Sequence, residues 1–466
     1  MKFVCVLNSI QPYKDDLDIM PSVFKHSSCF LSTLAKAYGK TFSKKTYKTY
    51  VENVKKFKLR YNAYNPELWI DSGGYHFVKG EYSKVNVDTL IDGYHLFLKE
   101  EFESYDKIFS LDLPLKADKK TQYSINKKSI EHSLNVIKEN DAVKDKMYFV
   151  GQFLRNDQYE VWNKLYREFE LYSVFKNRAI GGMVSSRRYF RNVPSPFIGI
   201  AYRYLFDFLK YKQKEDFAIH FLGIYLTQDR FTILLLEKLF SRYLKDVNIN
   251  FSYDTISFSR KIKLSHADYK VYFDRGRGMR LDPSLYEFNR QDDLKLIYKE
   301  EHVEKASDLL FLLGEKRESK LKRDLDRFMC DFKGEEKEEI KPGNLEILDP
   351  LGVYINRNID MIMSEMIDRQ DIVSKIVSLE KIEHAFELIE NFVYSSSGCL
   401  EYGSTSQIEV EKIATDSVFS SFHFLKIISY SMYEVLKFHL WFTKNQDDEK
   451  KLDKMNAEFI TQFNKK

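Results

Sequence analysis

The chain has 466 residues and a mass of 55.4 kDa, of which 44% are hydrophobic and 30% charged; this is the composition of an ordinary soluble protein of about two units, not of a disordered chain. Its 73 basic and 69 acidic residues leave a net charge of +4, so nucleic-acid binding has to come from local patches and not from a polycationic whole. Four cysteines (Cys5, Cys29, Cys330 and Cys399) stand far apart with no Cys-x-x-Cys, which argues against a zinc knuckle or a disulfide framework and fits a reducing cytoplasm.

The opening Met1-Lys2-Phe3-Val4-Cys5-Val6-Leu7-Asn8 reads as a first buried strand, Phe3–Leu7, since its apolar stretch is too brief for a secretory segment. No apolar run long enough to cross a membrane follows. Further strands are predicted at Leu68–Asp71, Lys107–Leu111, Met147–Gly151, Arg178–Met183, Ala218–Ile224 and Ile249–Ile256. Between them, Asp88–Glu101, Lys127–Glu139, Gln158–Glu170, Ala201–Lys212 and Arg230–Leu244 carry apolar residues at helical spacing. A βα repeat of roughly 30–40 residues predicts a (β/α)8 TIM-type barrel over residues 1–283, with the eighth strand unplaced. A doubly wound sheet is the rival, but no Gly-x-Gly-x-x-Gly follows an early strand. Residues 284–466 read as a mainly helical C-terminal region, with helices at Asp293–Leu313, Arg317–Phe332, Asn358–Phe392 and Val410–Lys444. The charged run Lys333–Gly343 reads as a surface loop. Cys5 and Cys29 read as core residues.

Chemistry gathers at the C-terminal ends of the strands. Trp69-Ile70-Asp71-Ser72-Gly73-Gly74-Tyr75-His76-Phe77 puts a carboxylate at a strand end, frees glycine amides to approach a ligand, and then offers an aromatic face. Alone, the run also fits a tight turn. Asp112 follows Leu111, Gln152 follows Gly151, Gly181 and Gly182 follow Ile180, Leu222 and Gly223 follow Phe221, and Asp254 follows Tyr253 with Arg260 downstream. In a parallel barrel these ends converge on one face, where barrel enzymes keep their active sites. Three carboxylates and an amide among glycines suit a planar polar heterocycle. Asp71 and Asp254 form a working pair of the kind used in retaining glycosyl transfer. Either Asp taken singly fits a helix cap equally well. His76 and His220 have no partner assignable from the sequence and read as structural.

Asp71-Ser72-Gly73-Gly74-Tyr75, Leu111-Asp112, Gln152, Ala179-Ile180-Gly181-Gly182-Met183, Leu222-Gly223 and Tyr253-Asp254-Thr255-Ile256-Ser257-Phe258-Ser259-Arg260 occur in the order and rough spacing of the tRNA-guanine transglycosylases. Over roughly Phe3 to Arg260 the chain resembles that superfamily. The resemblance implies a barrel enzyme that exchanges guanine in nucleic acid for a free 7-deazaguanine base, with no cofactor. Asp254 is then the nucleophile that holds the sugar C1′ as a glycosyl-aspartate, and Asp71 the general acid/base. Tyr75 and Leu222 become the two stacking faces, and Asp112 takes the guanidine-like edge of the base. Gln152 and the Gly182 backbone complete the base contacts, Ser72, Gly73, Gly74, Gly181 and Gly223 belong to the same pocket, and Arg260 meets a phosphate.

The chain also departs from that pattern. The cysteine and histidine zinc site of the tRNA enzymes is missing, and the Gly-Glu pair after Gly181-Gly182-Met183 is replaced by Val184-Ser185-Ser186-Arg187-Arg188. Phe258-Ser259-Arg260 stands where those enzymes have Pro-Thr-Arg. These differences favour the deazapurine-in-DNA branch, with DNA as the substrate and tRNA as the alternative, and they leave room for a helicase or ATPase partner that opens the duplex. Arg187 and Arg188, and Arg275 and Arg277 in a glycine-rich loop, are the better phosphate-binding candidates; the lysine run from Lys44 reads as a solvated helix face. A hydrolytic base-excision enzyme and a non-catalytic binding homologue are the rival readings.

Overall fold

A computed structural model describes residues 1–6, 24, 27–38, 44–74, 86–113, 118–153, 155–182, 197–211, 216–224, 227–255, 271–274, 278–281, 345–346, 382–383, 386, 390 and 419–464. Eight strands close into a parallel barrel in sequence order: β1 (Lys2–Val6), β2 (Cys29–Thr33), β3 (Glu67–Asp71), β4 (Lys107–Phe109), β5 (Met147–Gln152), β6 (Asn177–Gly181), β7 (Phe217–Phe221) and β8 (Ile249–Thr255). Closure runs through β1 and β8, which pair Val4 with Asp254. Helices α1 (Lys44–Arg60), α2 (Val87–Glu100), α3 (Lys119–Glu139), α4 (Asn156–Glu168), α5 (Phe197–Lys210) and α6 (Thr227–Tyr243) alternate with strands β2 to β8. This is the expected (β/α)8 barrel, and the unplaced strand is β2.

Strand burial explains why continuous apolar runs were visible. β5, β6 and β7 are buried at every position, because one face meets the barrel interior and the other the helices. The interior holds Val4, Cys29, Leu31, Trp69, Phe109, Tyr148, Val150, Ala179 and Ala218. The large rings come from β3, β4 and β5 and the small alanines from β6 and β7, so bulk on one wall fills the space left by the other. The opposite strand faces, including Phe30, Ile70, Ile108, Phe149, Ile219 and Phe251, pack against the helices.

Helix α1 turns Tyr47, Tyr50, Val51, Val54 and Phe57 to the core and leaves Lys45, Lys48, Lys55 and Lys56 exposed. That is the amphipathic stripe of a surface helix. Asn86 and Asp118 cap α2 and α3, accepting hydrogen bonds from the amides of Asp88 at 2.8 Å and Thr121 at 3.0 Å.

Beyond the barrel, α7 (Phe419–Asn445) and α8 (Glu449–Asn464) pack on α5 and α6, and α8 also reaches α4. Helix α7 corresponds to the expected Val410–Lys444, whereas α8 has no counterpart among the sequence expectations. A three-stranded sheet, β9 (Val271–Asp274), β10 (Gly278–Leu281) and β11 (Leu345–Glu346), runs in the order β10-β9-β11, with both pairings antiparallel. It joins segments on either side of residue 283. The expected helices Asp293–Leu313 and Arg317–Phe332, the loop Lys333–Gly343 and most of Asn358–Phe392 lie outside the described residues.

Candidate active site at the barrel mouth

Two hydrogen-bonded groups form at the C-terminal ends of the strands. The first is centred on Asp112, just past β4. Ser72, just past β3, donates its hydroxyl to Asp112 Oδ1 at 2.7 Å, and the Gln152 amide at the end of β5 donates to Asp112 Oδ2. The Asp112 carboxyl is buried, and burial pushes its pKa up to about 7. The Ser72 hydrogen bond opposes that rise, and the neighbouring Asp71 charge adds to it.

The backbone around Asp112 is fixed from behind. Asn126 of α3 accepts from the Leu113 amide at 3.0 Å and donates to the Leu113 carbonyl at 3.1 Å. Ser129 donates to the Leu111 carbonyl at 3.1 Å. All three bonds satisfy backbone groups that left the sheet when β4 ended. The helix therefore clamps both residues that flank the carboxylate.

Asp71 ends β3 level with Thr33 of β2, and its carbonyl accepts from the Leu34 amide at 2.7 Å. Its charge reaches Asp112 and also the buried phenol of Tyr50 on α1, which burial raises first and Asp71 further. Gly73 has φ of +92°, and a Cβ there would lie 2.6 Å from the Ala35 Cβ. Both facts require glycine. A Cβ on Gly74 would lie 2.6 Å from the Asp112 backbone oxygen and from its Oδ1, so the absent side chain is what lets this turn close over the carboxylate. Gly181 at the end of β6 abuts the Gln152 amide in the same way, and Gly182 follows it.

The second group is centred on Asp254 in β8. Its Oδ1 accepts from the Gly223 amide at 2.8 Å and bonds His220 Nε2 at 3.0 Å. The Asp254 carbonyl accepts from Ile224 at 2.9 Å, which fixes the turn after β7 against β8. Leu222 in that turn is half-buried and packs on the interior cluster. The sequence offers His220 no assignable partner; in the fold it has two, since its Nδ1 bonds Ser252 Oγ at 2.9 Å. Strand alternation could have found it, because residues 220 and 222, and 252 and 254, share the inward face.

The barrel thus brings Asp71, Ser72, Gly73, Gly74, Asp112, Gln152, Gly181, Gly182, Leu222, Gly223 and Asp254 to the C-terminal ends of β3 to β8. Tyr75, His76, Arg187, Arg188, Arg260, Arg275 and Arg277 lie outside the described residues. A cavity lined by Phe149, Tyr159, Trp162, Arg203 and Tyr204 lies on the other side of the sheet, under α4 and α5. Among the described residues no group of three or more His, Cys, Asp or Glu is arranged to hold a metal ion, and no helix is long and apolar enough to cross a membrane. No protein-family model matches the chain, and no curated protein matches it.

Proposed function

We propose that this chain is a base-exchanging glycosyltransferase that replaces guanine in nucleic acid, DNA in preference to tRNA, with a 7-deazaguanine. The observation that carries the reading is the pairing at one barrel mouth of a carboxyl–amide group, Asp112 with Gln152 and Ser72, with a separate carboxylate, Asp254, held among the described residues through its Oδ1. The first suits a planar edge that offers two adjacent N–H donors, as guanine does. The second suits attack on a sugar carbon.

In the proposed reaction a lone pair of Asp254 forms a bond to C1′ while the C1′–N9 bond breaks. The released electron pair leaves with guanine, which takes a proton from Asp71. The incoming deazaguanine then gives a proton to the Asp71 carboxylate and attacks C1′, and the bond to Asp254 breaks, returning its electron pair to the carboxylate. The target guanine must be flipped out of a duplex or presented in a single strand. The arginines Arg187, Arg188, Arg260, Arg275 and Arg277 are assigned to the nucleic-acid backbone on their sequence context alone.

Matched DNA and tRNA substrates carrying labelled guanine test the reading. Label should leave DNA only when a free base is supplied, and an equal amount of that base should enter the polymer. Release without an added base would instead mark a hydrolytic excision enzyme, and release from tRNA alone would reverse the substrate preference. No release from either would remove the transferase reading.

A further inference from the structure

We propose that His220 is the positioning residue of Asp254: donating from Nε2, His220 joins the Gly223 amide in holding Oδ1 and leaves Oδ2 as the oxygen that attacks. The inference rests on the glycosyl-transfer reading above and adds to it which oxygen reacts and what aims it.

The arrangement follows from strand register. His220 on β7 pairs directly with Ser252 on β8, and Asp254 stands two residues further along the same inward face. The imidazole therefore bridges Ser252 Oγ at 2.9 Å and Asp254 Oδ1 at 3.0 Å. A carboxylate only accepts hydrogen bonds, so Nε2 must carry a proton. With the opposite tautomer, the Nε2 lone pair would face the carboxylate lone pairs. Nδ1 then accepts, and the Ser252 hydroxyl is the donor that reaches it. The carboxylate thus sets the tautomer, and Ser252 satisfies the other nitrogen.

The ring has no freedom to abandon this role. It is fully buried, with the Phe109 ring at 4.7 Å, Trp69 at 5.2 Å and Tyr148 at 6.1 Å between centroids. Burial also disfavours the imidazolium and holds the pKa of His220 below the usual histidine range, although Asp254 pulls the other way. The group that faces the carboxylate is then a neutral donor.

Both donors fall on one oxygen. Gly223 and His220 bond Oδ1, and among the described residues no donor reaches Oδ2. Hydrogen bonds draw electron density from the oxygen they touch, so Oδ2 keeps the more available lone pair. That pair makes the bond to C1′ as the C1′–N9 pair departs with guanine, and no proton moves at His220. A histidine that merely fills the core would share the burial but would have no effect on kcat in protein that still folds.

The test compares full-length wild type with His220→Gln, His220→Leu and Ser252→Ala in guanine exchange, on whichever nucleic acid the wild type uses. Histidine 15N spectra of the wild type, with the His220 signal assigned from the Gln variant, report the tautomer independently of activity. His220→Leu should lower kcat by about ten- to a hundredfold, the rate equivalent of one charge-assisted hydrogen bond, with little change in KM. His220→Gln should recover part of that loss through its amide donor, and Ser252→Ala should fall in between. The spectrum should show a neutral ring protonated at Nε2 near neutral pH. Wild-type kcat in folded His220→Leu, or a ring protonated at Nδ1, would overturn the proposal. Should the wild type exchange no base at all, the transferase reading falls by itself, and the spectrum still decides whether Nε2 donates to Asp254.

Discussion

At Asp112 burial and chemistry conflict. A carboxyl raised to about 7 by burial favours the folded state when protonated. Its contribution is therefore complete below its unfolded pKa near 4 and is lost as pH rises through about 7. Asp112→Asn should be more stable than wild type at about pH 8, by on the order of 2 kcal/mol, and no more stable at about pH 4. Thermal melts at the two pH values check this; an equal shift at both would refute it. The same variant should lose the proposed guanine exchange, because an amide offers one acceptor and one donor to an edge with two donors. From the sequence, Asp112 was legible as a candidate because it follows an apolar run and precedes Leu113-Pro114. Its partners Ser72 and Gln152 lie 40 residues away on either side, and only closure of the barrel brings the three together.

At the scale of elements, strand ends work because helices hold them. Asn126 makes two hydrogen bonds to the backbone of Leu113, and both bonded groups are buried. Asn126→Leu should destabilise the protein by about 2–4 kcal/mol, since each buried backbone group left without a partner costs about 1–3 kcal/mol. Denaturant unfolding measures the loss, and a change below about 0.5 kcal/mol would show that water or another group takes over. Nothing in the sequence marked Asn126, because its partner is a backbone group and depends on where β4 stops. β2 escaped for a related reason: Cys29-Phe30-Leu31-Ser32-Thr33 has only three apolar residues before two hydroxyls, although Cys29, Phe30, Leu31 and Ser32 are all buried. The strands that are mostly apolar, β5 and β7, were legible to within a few residues.

Across the whole molecule, the C-terminal helices are tied to the barrel by charge as well as by apolar packing. Arg203 of α5 is buried; it pairs with Asp207 at 3.1 Å on its own helix, and with Glu449 at 2.6 Å and Asp453 at 2.9 Å on α8. Arg167 and Lys210 reach the same acids at 2.6 Å and 2.7 Å. Removing Arg203 leaves Asp207 buried without its partner, so Arg203→Met should cost about 3–5 kcal/mol, and adding Asp207→Asn should restore part of it. Strict additivity of the two changes in a double-mutant cycle would contradict the pairing.

Among the described residues, the pH response sums opposing groups. Burial holds His95 and His439 down to about 4, so their contributions are present above about 6.5 and are lost as pH falls toward 4. Asp112 acts in the other direction, which places greatest stability near about pH 6–7. A melting-temperature profile that rises steadily from about pH 5 to pH 9 would contradict this balance.

In the proposed reaction Asp254 forms the bond to the sugar, and comparing the wild type with a variant that lacks this carboxylate decides whether it does. Full-length wild type and Asp254→Asn are incubated with guanine-containing DNA, then denatured and weighed by intact-mass spectrometry alongside a labelled-base exchange assay. The wild type should show exchange and a covalent protein–DNA species, and Asp254→Asn neither. Exchange at the wild-type rate by folded Asp254→Asn would contradict the proposed role of Asp254.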